Sequence, residues 1–188
     1  MIIVVLAVGL ALGIQAFIVK PYQIPSESME PTLDVGQRIL VNRFVYRFSD
    51  PDIGDIVVFH PPAGADNGGM QCGVQKPPSQ PCPTPTDGES EQNFVKRIVA
   101  GPGDTLRIQD GHPVVNGEIP NEDFIRDCGG GMECNMPQEI TIPKDHYFMM
   151  GDNRGMSTDS RFWGPVPKDW IIGKAFATYW PPNRLGIF

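Results

Sequence analysis

The chain has 188 residues, a formal net charge of −7 and a sequence pI of about 4.9. Hydrophobic residues make up 40% of it, which is enough for a packed core in one domain. The acidic balance argues against a nucleic-acid-binding protein and against general electrostatic attachment to membranes, because both classes carry excess positive charge.

The chain begins with an uncharged apolar segment. Residues 2–19 contain no charged side chain, and Lys20 and Pro21 end the run. A bilayer-spanning helix needs about 17–25 apolar residues, so we predict a transmembrane anchor over residues 1–20. A cleaved secretory signal and a buried helix are the alternatives, although the run lacks the basic start of a signal peptide.

Short segments rich in β-branched and aromatic residues follow the apolar run. Separated by Gly- and Pro-containing turns, they are typical of strands in a mostly β, antiparallel domain. Asp110-Gly111 between two of them favours a tight hairpin. The predicted strands cover residues 37–46, 55–59, 93–99, 106–109, 113–115, 147–150 and 171–180.

Two further stretches have the composition of loops. Residues 61–91 hold 12 Gly or Pro in 31 positions and no aromatic residue, so we predict a long surface loop. A disordered linker between two domains is the alternative for this stretch. Residues 126–137 are predicted as a second loop.

The cysteine content indicates an oxidising compartment. There are four cysteines, an even number, and neither of the two local pairs has the C-x-x-C spacing of a zinc or redox site. Local disulfides are the simplest of three connectivities, and four free thiols in the cytoplasm are the alternative. The predicted pairs are Cys72 with Cys82 and Cys128 with Cys134.

A serine-rich segment follows the apolar run. Residues 24–33 contain Ser26 and Ser28 between two prolines, together with Ile24, Met29 and Leu33. A hydrated stalk leaving the bilayer would explain the serines. The apolar neighbours instead favour a segment packed on the domain, close to the membrane.

Lys96 is a candidate general base. Strand alternation places Phe94, Lys96 and Ile98 on one face. If that face is buried, desolvation lowers the pKa of Lys96, and a neutral lysine amine can accept a proton. A lysine that extends to solvent at the sheet rim is the alternative.

A third polar segment covers residues 151–161, in which Asp159 and Arg161 can pair. It can support a site through hydrogen bonds, or it can be a turn held by its own Asp and Ser side chains. The three histidines lie apart in turns, and no Gly-x-Ser-x-Gly or phosphate-binding glycine loop occurs. We therefore expect neither a metal nor an organic cofactor.

These segments, in this order behind an apolar start, resemble the bacterial type I signal peptidases. Residues 24–33 resemble the family's nucleophile segment, 54–59 its next core strand, 94–104 its lysine segment and 151–161 its Gly-Asp-Asn-Arg segment. The resemblance implies an antiparallel β domain on the outer membrane surface. It also implies removal of signal peptides after a small-x-small sequence, typically Ala-x-Ala.

The resemblance also implies the roles of individual residues. Ser28 would be the nucleophile and Lys96 its general base, with the Ser26 hydroxyl and the Ser28 N–H as the oxyanion hole. Supporting residues would be Ser157, which would orient the Lys96 amine, and Asp159 and Arg161, which would brace the site. Residues lining two small substrate pockets would be Tyr22, Ile24, Pro25, Leu33, Phe94 and Val95. The chain departs from the family at Gly155-Met156, where Asp-Asn is common, and we expect that change to affect local turn support.

The resemblance finally implies partners and a location. The partners would be exported preproteins, the lipid bilayer and the protein-export machinery, with no nucleic acid. The chain would cross the plasma membrane once, with residues 21–188 as an extracytoplasmic catalytic domain. An inactive binding domain of the same fold is one alternative. A self-cleaving repressor-type protease is another, but such proteins carry a DNA-binding module and lack an anchor.

Overall fold

Antiparallel strands dominate the computed structural model, which describes residue 13 and residues 18–67 and 71–188. The strands are β1 (Val19–Gln23), β2 (Arg38–Asn42), β3 (Ile56–Phe59), β4 (Phe94–Ala100), β5 (Thr105–Gln109), β6 (His112–Val115), β7 (Met136–Thr141), β8 (His146–Met150), β9 (Val166–Pro167), β10 (Ile171–Trp180) and β11 (Gly186–Ile187). The described helices are short. They are α1 (Ser160–Trp163) and the 3-10 turns Glu27–Met29, Val45–Arg47, Ala65–Asn67, Met132–Cys134, Lys168–Trp170 and Pro182–Arg184.

The strands form two sheets. The larger sheet has eight strands in the order β1-β2-β10-β3-β4-β8-β9, with β11 paired to β10. The smaller sheet has the order β6-β5-β7. Every pair is antiparallel. The prediction of a mostly β, antiparallel domain is therefore confirmed.

The larger sheet is buried on both faces at its centre. All four residues of β3 are buried, and successive side chains point to opposite faces. Ile56 and Val58 pack into a core cluster that also holds Leu33, whereas Val57 and Phe59 pack into a second cluster. This explains why residues 56–59 form a continuous apolar run in the sequence.

Each predicted strand has a counterpart in the structure, whereas β1, β7, β9 and β11 lie outside the predicted strands. β2 ends at Asn42 because the Asn42 side chain accepts hydrogen bonds from the N–H groups of Phe44 and Val45, which turns the chain before residue 46. β7 begins inside the predicted loop 126–137. The Asp110-Gly111 turn is present, with φ of 51° and 82°, the left-handed conformation that such hairpins require.

The C-terminal end of the predicted anchor also differs from the structure. Val19 and Lys20 belong to β1, where they pair with Asn42 and Val41, so the sheet domain begins before residue 21. The rest of the predicted anchor lies outside the described residues, apart from Gly13 and Ile18. Among the described residues, no helix has the length and apolar character needed to cross a membrane.

The Gly- and Pro-rich loop is closed at its base and attached to the domain. Ser90 donates its N–H to the Pro61 carbonyl at 2.8 Å, and Cys82 donates its N–H to the Arg161 carbonyl at 3.1 Å. The described part of the loop therefore packs against α1. In the structure Cys72 is bonded to Cys82, and Cys128 to Cys134.

Candidate active site

Ser28 lies in a 3-10 turn that the core holds in place. The turn follows β1, and the side chains of Met29 and Leu33 are 1% and 0% exposed beneath it. Asn153 fixes it from above. Its backbone N–H donates to the Ser28 carbonyl at 3.1 Å, and its Nδ2 donates to the Glu27 carbonyl at 3.2 Å. The Ser28 side chain is thereby presented at a defined point.

Lys96 reaches the same point from the middle of β4. Its side chain is 4% exposed, and its Nζ donates a hydrogen bond to Ser28 Oγ at 2.6 Å. The two residues are 68 positions apart in the sequence. Lys96 lies opposite Val57 in the register of β3 and β4, and its side chain extends from there to the Ser28 turn, so the folded sheet brings the two residues together.

The surroundings make the Lys96 amine easier to deprotonate. The pKa of Lys96 is lowered from its ordinary 10.5 to about 8, mainly by burial; the charges of Asp159 and Asp152 partly oppose this change, and the charge of Arg161 contributes to it. With a pKa of about 8, about a tenth of the amine is neutral at pH 7, compared with well under a thousandth for a free lysine. A buried amine of this kind can act as a base near neutral pH.

Ser26 lies beside this pair on the solvent side. It is exposed, and its Oγ is 3.3 Å from Ser28 Oγ, within hydrogen-bond distance. Three of the predicted residues, Ser26, Ser28 and Lys96, therefore form one cluster. A hydroxyl donor next to a serine Oγ is suited to stabilise an oxyanion formed there.

Asp159 and Arg161 form a fully buried ion pair behind the cluster. Arg161 Nε and Nη2 donate to the two carboxylate oxygens of Asp159 at 2.8 and 2.9 Å. Burial alone would raise the pKa of Asp159, but the charge and hydrogen bonds of Arg161 hold that pKa below its ordinary value. Asp159 also accepts the Gly151 N–H at 3.0 Å, and Arg161 donates to the Ser157 carbonyl at 3.1 Å. The pair thus fixes the loop that covers the Ser28 turn.

The predicted contact between Ser157 and Lys96 is not made. Ser157 Oγ is buried and has no hydrogen-bond partner among the described residues. It lies beside Gly151, where a Cβ atom would overlap both Ser157 Oγ and the Ser28 carbonyl oxygen. Glycine at 151 therefore allows the loop to approach the Ser28 turn closely.

A cavity of about 320 Å³ opens in front of Ser28 and Lys96. Four of the predicted substrate-binding residues line it, namely Ile24, Pro25, Phe94 and Val95. Tyr22 and Leu33 do not, contrary to expectation. Leu33 is completely buried in the core, and Tyr22 packs against the same core cluster.

Comparison with known proteins identifies the family. The sequence matches the family described as "Signal peptidase, peptidase S26" over residues 1–180. The chain belongs to the signal peptidase S26 family. It is therefore a serine-type peptidase, as the resemblance predicted.

Two relatives with high coverage are named as signal peptidases. Signal peptidase I of Leptolyngbya laminosa is 39% identical over 184 residues, which cover 96% of this chain and 78% of that protein. Probable signal peptidase I-2 of Synechocystis is 35% identical over 187 residues, covering 97% and 73%. A solved signal peptidase I of Enterococcus faecalis V583 is 23% identical, with a TM-score of 0.40, covering 67% of this chain and 97% of that one.

Sequence reasoning missed other residues of this S26 peptidase's cavity. They lie on four segments: Met29 on the first, Ala65 on the second, Gln92 and Asn93 on the third, and Met156 and Thr158 on the fourth. Gln92 and Asn93 directly precede the lysine segment, which is a signal that could have been used. Ala65 comes from the Gly- and Pro-rich loop, where composition carried no such signal, so this loop forms part of the cavity wall.

Asp152 was missed as well. It is fully buried, and Arg97 donates to its two carboxylate oxygens at 2.8 and 2.6 Å. Thr32 Oγ1 donates to the same carboxylate at 2.5 Å. Asp152 therefore ties together the three segments that the sequence analysis singled out. Its partner Arg97 is the strand neighbour of Lys96 and points to the opposite face.

Proposed function

We propose that this S26 peptidase is a membrane-anchored endopeptidase that removes N-terminal signal peptides from exported preproteins. One observation carries the proposal: a buried lysine amine donates a 2.6 Å hydrogen bond to the hydroxyl of Ser28 at the end of a cavity. A serine hydroxyl beside a desolvated amine is an activated nucleophile. The relatives named signal peptidase I support the choice of substrate.

The reaction is an acyl transfer in two halves. Ser28 Oγ attacks the scissile carbonyl carbon while the neutral Lys96 amine takes the hydroxyl proton. The tetrahedral intermediate collapses, the C–N bond breaks, and Lys96 gives its proton to the departing amine. Water then attacks the acyl ester with Lys96 again as base, which releases the signal peptide with a free carboxylate.

The oxyanion of each intermediate needs donors. We assign this role to the Ser26 hydroxyl and the Ser28 backbone N–H. Preorganised donors of this kind typically contribute about 10²–10³ to the rate. Asp159 and Arg161 act further back, since they hold the loop against the Ser28 turn, and Ser157 Oγ is a buried hydroxyl close to that turn.

The cavity sets the size of the residues before the cut. Its walls are the extended segment Ile24–Ser26 on one side and Phe94–Lys96 on the other, and an extended peptide can add between two such segments. Ile24, Pro25, Phe94 and Val95 supply apolar surface in a cavity of about 320 Å³ that must also hold the peptide backbone, which supports short apolar side chains before the cut, as in Ala-x-Ala. An anchor over the first residues would hold the site at the membrane, where signal peptides emerge, and would raise their effective concentration. The two disulfides suit the extracytoplasmic side.

Cleavage of a purified preprotein with an Ala-x-Ala site tests the proposal. In detergent, the full chain should cut once, directly after the second Ala, and Ser28→Ala should reduce the rate to background because no nucleophile remains. His146→Ala, a substitution at the first residue of β8 that does not line the cavity, is the matched control and should cut at the wild-type rate. Cleavage by Ser28→Ala at more than one-tenth of the wild-type rate, or no cleavage by wild type, would contradict the proposal.

The pH dependence of cleavage follows from the pKa of Lys96. The reaction needs the neutral amine, so kcat/KM should rise about tenfold per pH unit below about pH 8 and level off above it. A histidine base would give a midpoint near pH 6.5 instead. Initial rates with a peptide substrate between pH 6 and 10 measure the midpoint, and a flat profile across this range would exclude Lys96 as the base.

A further inference from the structure

A second cleft in the described part of the chain lies away from Ser28. Its volume is about 630 Å³, and none of the residues that line it lines the Ser28 cavity. It opens where β2 ends, because Arg43 and Phe44 form part of its wall. Arg43 donates its backbone N–H to the Ile18 carbonyl at 2.9 Å. The cleft therefore begins at the point where the N-terminal apolar run enters the sheet domain.

Cationic side chains line this cleft in a chain that is acidic overall. Arg43 and Arg47 are exposed, and neither has a carboxylate partner within ion-pair distance in the described part of the chain. Lys168 lines the cleft too, with its Nζ 2.5 Å from Asp50. Unpaired guanidinium groups are suited to bind a phosphate group through two parallel hydrogen bonds.

Aromatic side chains accompany these cations. The Arg47 guanidinium lies 4.6 Å from the centre of the Phe44 ring, and Trp170 lines the same cleft. Phe48, whose ring centre lies 5.5 Å from that of Phe44, is 83% exposed. Aromatic and basic residues together are typical of the boundary between a membrane and water.

We infer that this cleft binds the phosphodiester headgroup of an anionic lipid, such as phosphatidylglycerol, through Arg43 and Arg47. The inference rests on the proposed function in one respect, since it needs the apolar run to anchor the chain. The anchor would then bring the cleft to the headgroup layer. Glu89 and Asp169 also line the cleft and can accept hydrogen bonds from the headgroup hydroxyls. Bound lipid would fix how the catalytic domain sits on the bilayer.

The test is a binding titration that involves no proteolysis. The full chain in a neutral detergent is titrated with dihexanoyl-phosphatidylglycerol, and the fluorescence of Trp170 reports occupancy of the cleft. The same titration with dihexanoyl-phosphatidylcholine measures binding without net charge, and inorganic phosphate measures binding without a lipid. A Trp170→Phe chain identifies the part of the signal that comes from the cleft.

The substitution Arg43→Gln/Arg47→Gln removes both unpaired guanidinium groups. We expect it to weaken phosphatidylglycerol binding by at least about tenfold and to abolish the preference over phosphatidylcholine. Arg38→Gln/Arg107→Gln is the matched control, because it removes the same charge from residues that do not line the cleft. It should bind as wild type does.

Three results would overturn the inference. They are equal binding of the two lipids by wild type, an equal loss in the control variant, or inorganic phosphate binding as tightly as phosphatidylglycerol, which would make free phosphate the ligand. Cleavage of a soluble peptide is measured on the same samples. The cleft variant should cut at the wild-type rate, so failure of lipid binding and failure of the Ser28–Lys96 chemistry are separable.

Discussion

Replacing Lys96 with Met should lower kcat by about 10²–10⁴ while leaving KM close to the wild-type value. Methionine keeps the length and apolar stem of the side chain but cannot accept a proton. The Ser28 hydroxyl would then lose the amine that lies 2.6 Å from its Oγ in the wild type. Steady-state kinetics on a peptide with an Ala-x-Ala site separate kcat from KM.

Stability measurements show whether such a loss comes from unfolding. Burial of Lys96 lowers its pKa from 10.5 to about 8, which costs the wild-type fold about 3 kcal/mol at pH 7. Between about pH 8 and pH 10.5, Lys96 is protonated in the unfolded chain and neutral in the folded chain. The free energy of unfolding of the wild type should therefore rise with pH over this range. Lys96→Met should lack this rise and be at least as stable as wild type at pH 7.

Lys174→Met is the matched control for Lys96→Met. Lys174 on β10 and Lys96 on β4 both face Val57 in the strand register, from opposite sides of β3. Lys174 is 38% exposed, pairs with Asp55 at 2.5 Å and does not line the Ser28 cavity. It should cleave within a few-fold of wild type. If Lys96→Met also retained more than a tenth of wild-type kcat, another group would have to be the base.

Replacing Arg161 with Met should destabilise the fold by about 3–5 kcal/mol. The substitution leaves the Asp159 carboxylate, 0% exposed, without its guanidinium partner. It also removes donors from the carbonyls of Arg154 and Ser157. Chemical denaturation of the full chain in detergent measures the change.

Two comparisons make the Arg161 result specific. Arg126→Met breaks an ion pair with Glu30 in which the Arg side chain is 54% exposed, and it should cost no more than about 1 kcal/mol. Arg161→Met/Asp159→Asn removes the buried charge together with its partner, so it should be more stable than Arg161→Met alone. Equal stability of the double and single variants would mean that the uncompensated carboxylate is not the cause.

Local patterns predicted those parts of the fold that depend on neighbouring residues. The segments 55–59, 93–99 and 171–180, which are rich in β-branched and aromatic residues, correspond to β3, β4 and β10. The Asp110-Gly111 turn was readable because few residues other than glycine and aspartate adopt left-handed conformations easily. By contrast, β7 has its long-range partner in β5, and its polar, exposed residues left no clear alternation.

The candidate site shows the same division. The strand pattern alone did not determine whether Lys96 is buried, since either face of β4 could have been exposed to solvent. The resemblance predicted Leu33 as a substrate-pocket residue, but its side chain is completely buried in the core beneath the Ser28 turn. Ala65 lines the cavity, but it lies in a loop whose sequence has no pattern that predicts contact with the site.

The amino-acid sequence alone determined the mostly β class, the acidic character and the candidate catalytic residues, because these depend on composition and short-range order. The meeting of Lys96 with Ser28 across 68 residues, the burial of Asp159 with Arg161 and the basic cleft beside Ile18 do not follow from it. They depend on strand order and register in the folded sheet, where one residue of slip would turn Lys96 to the other face.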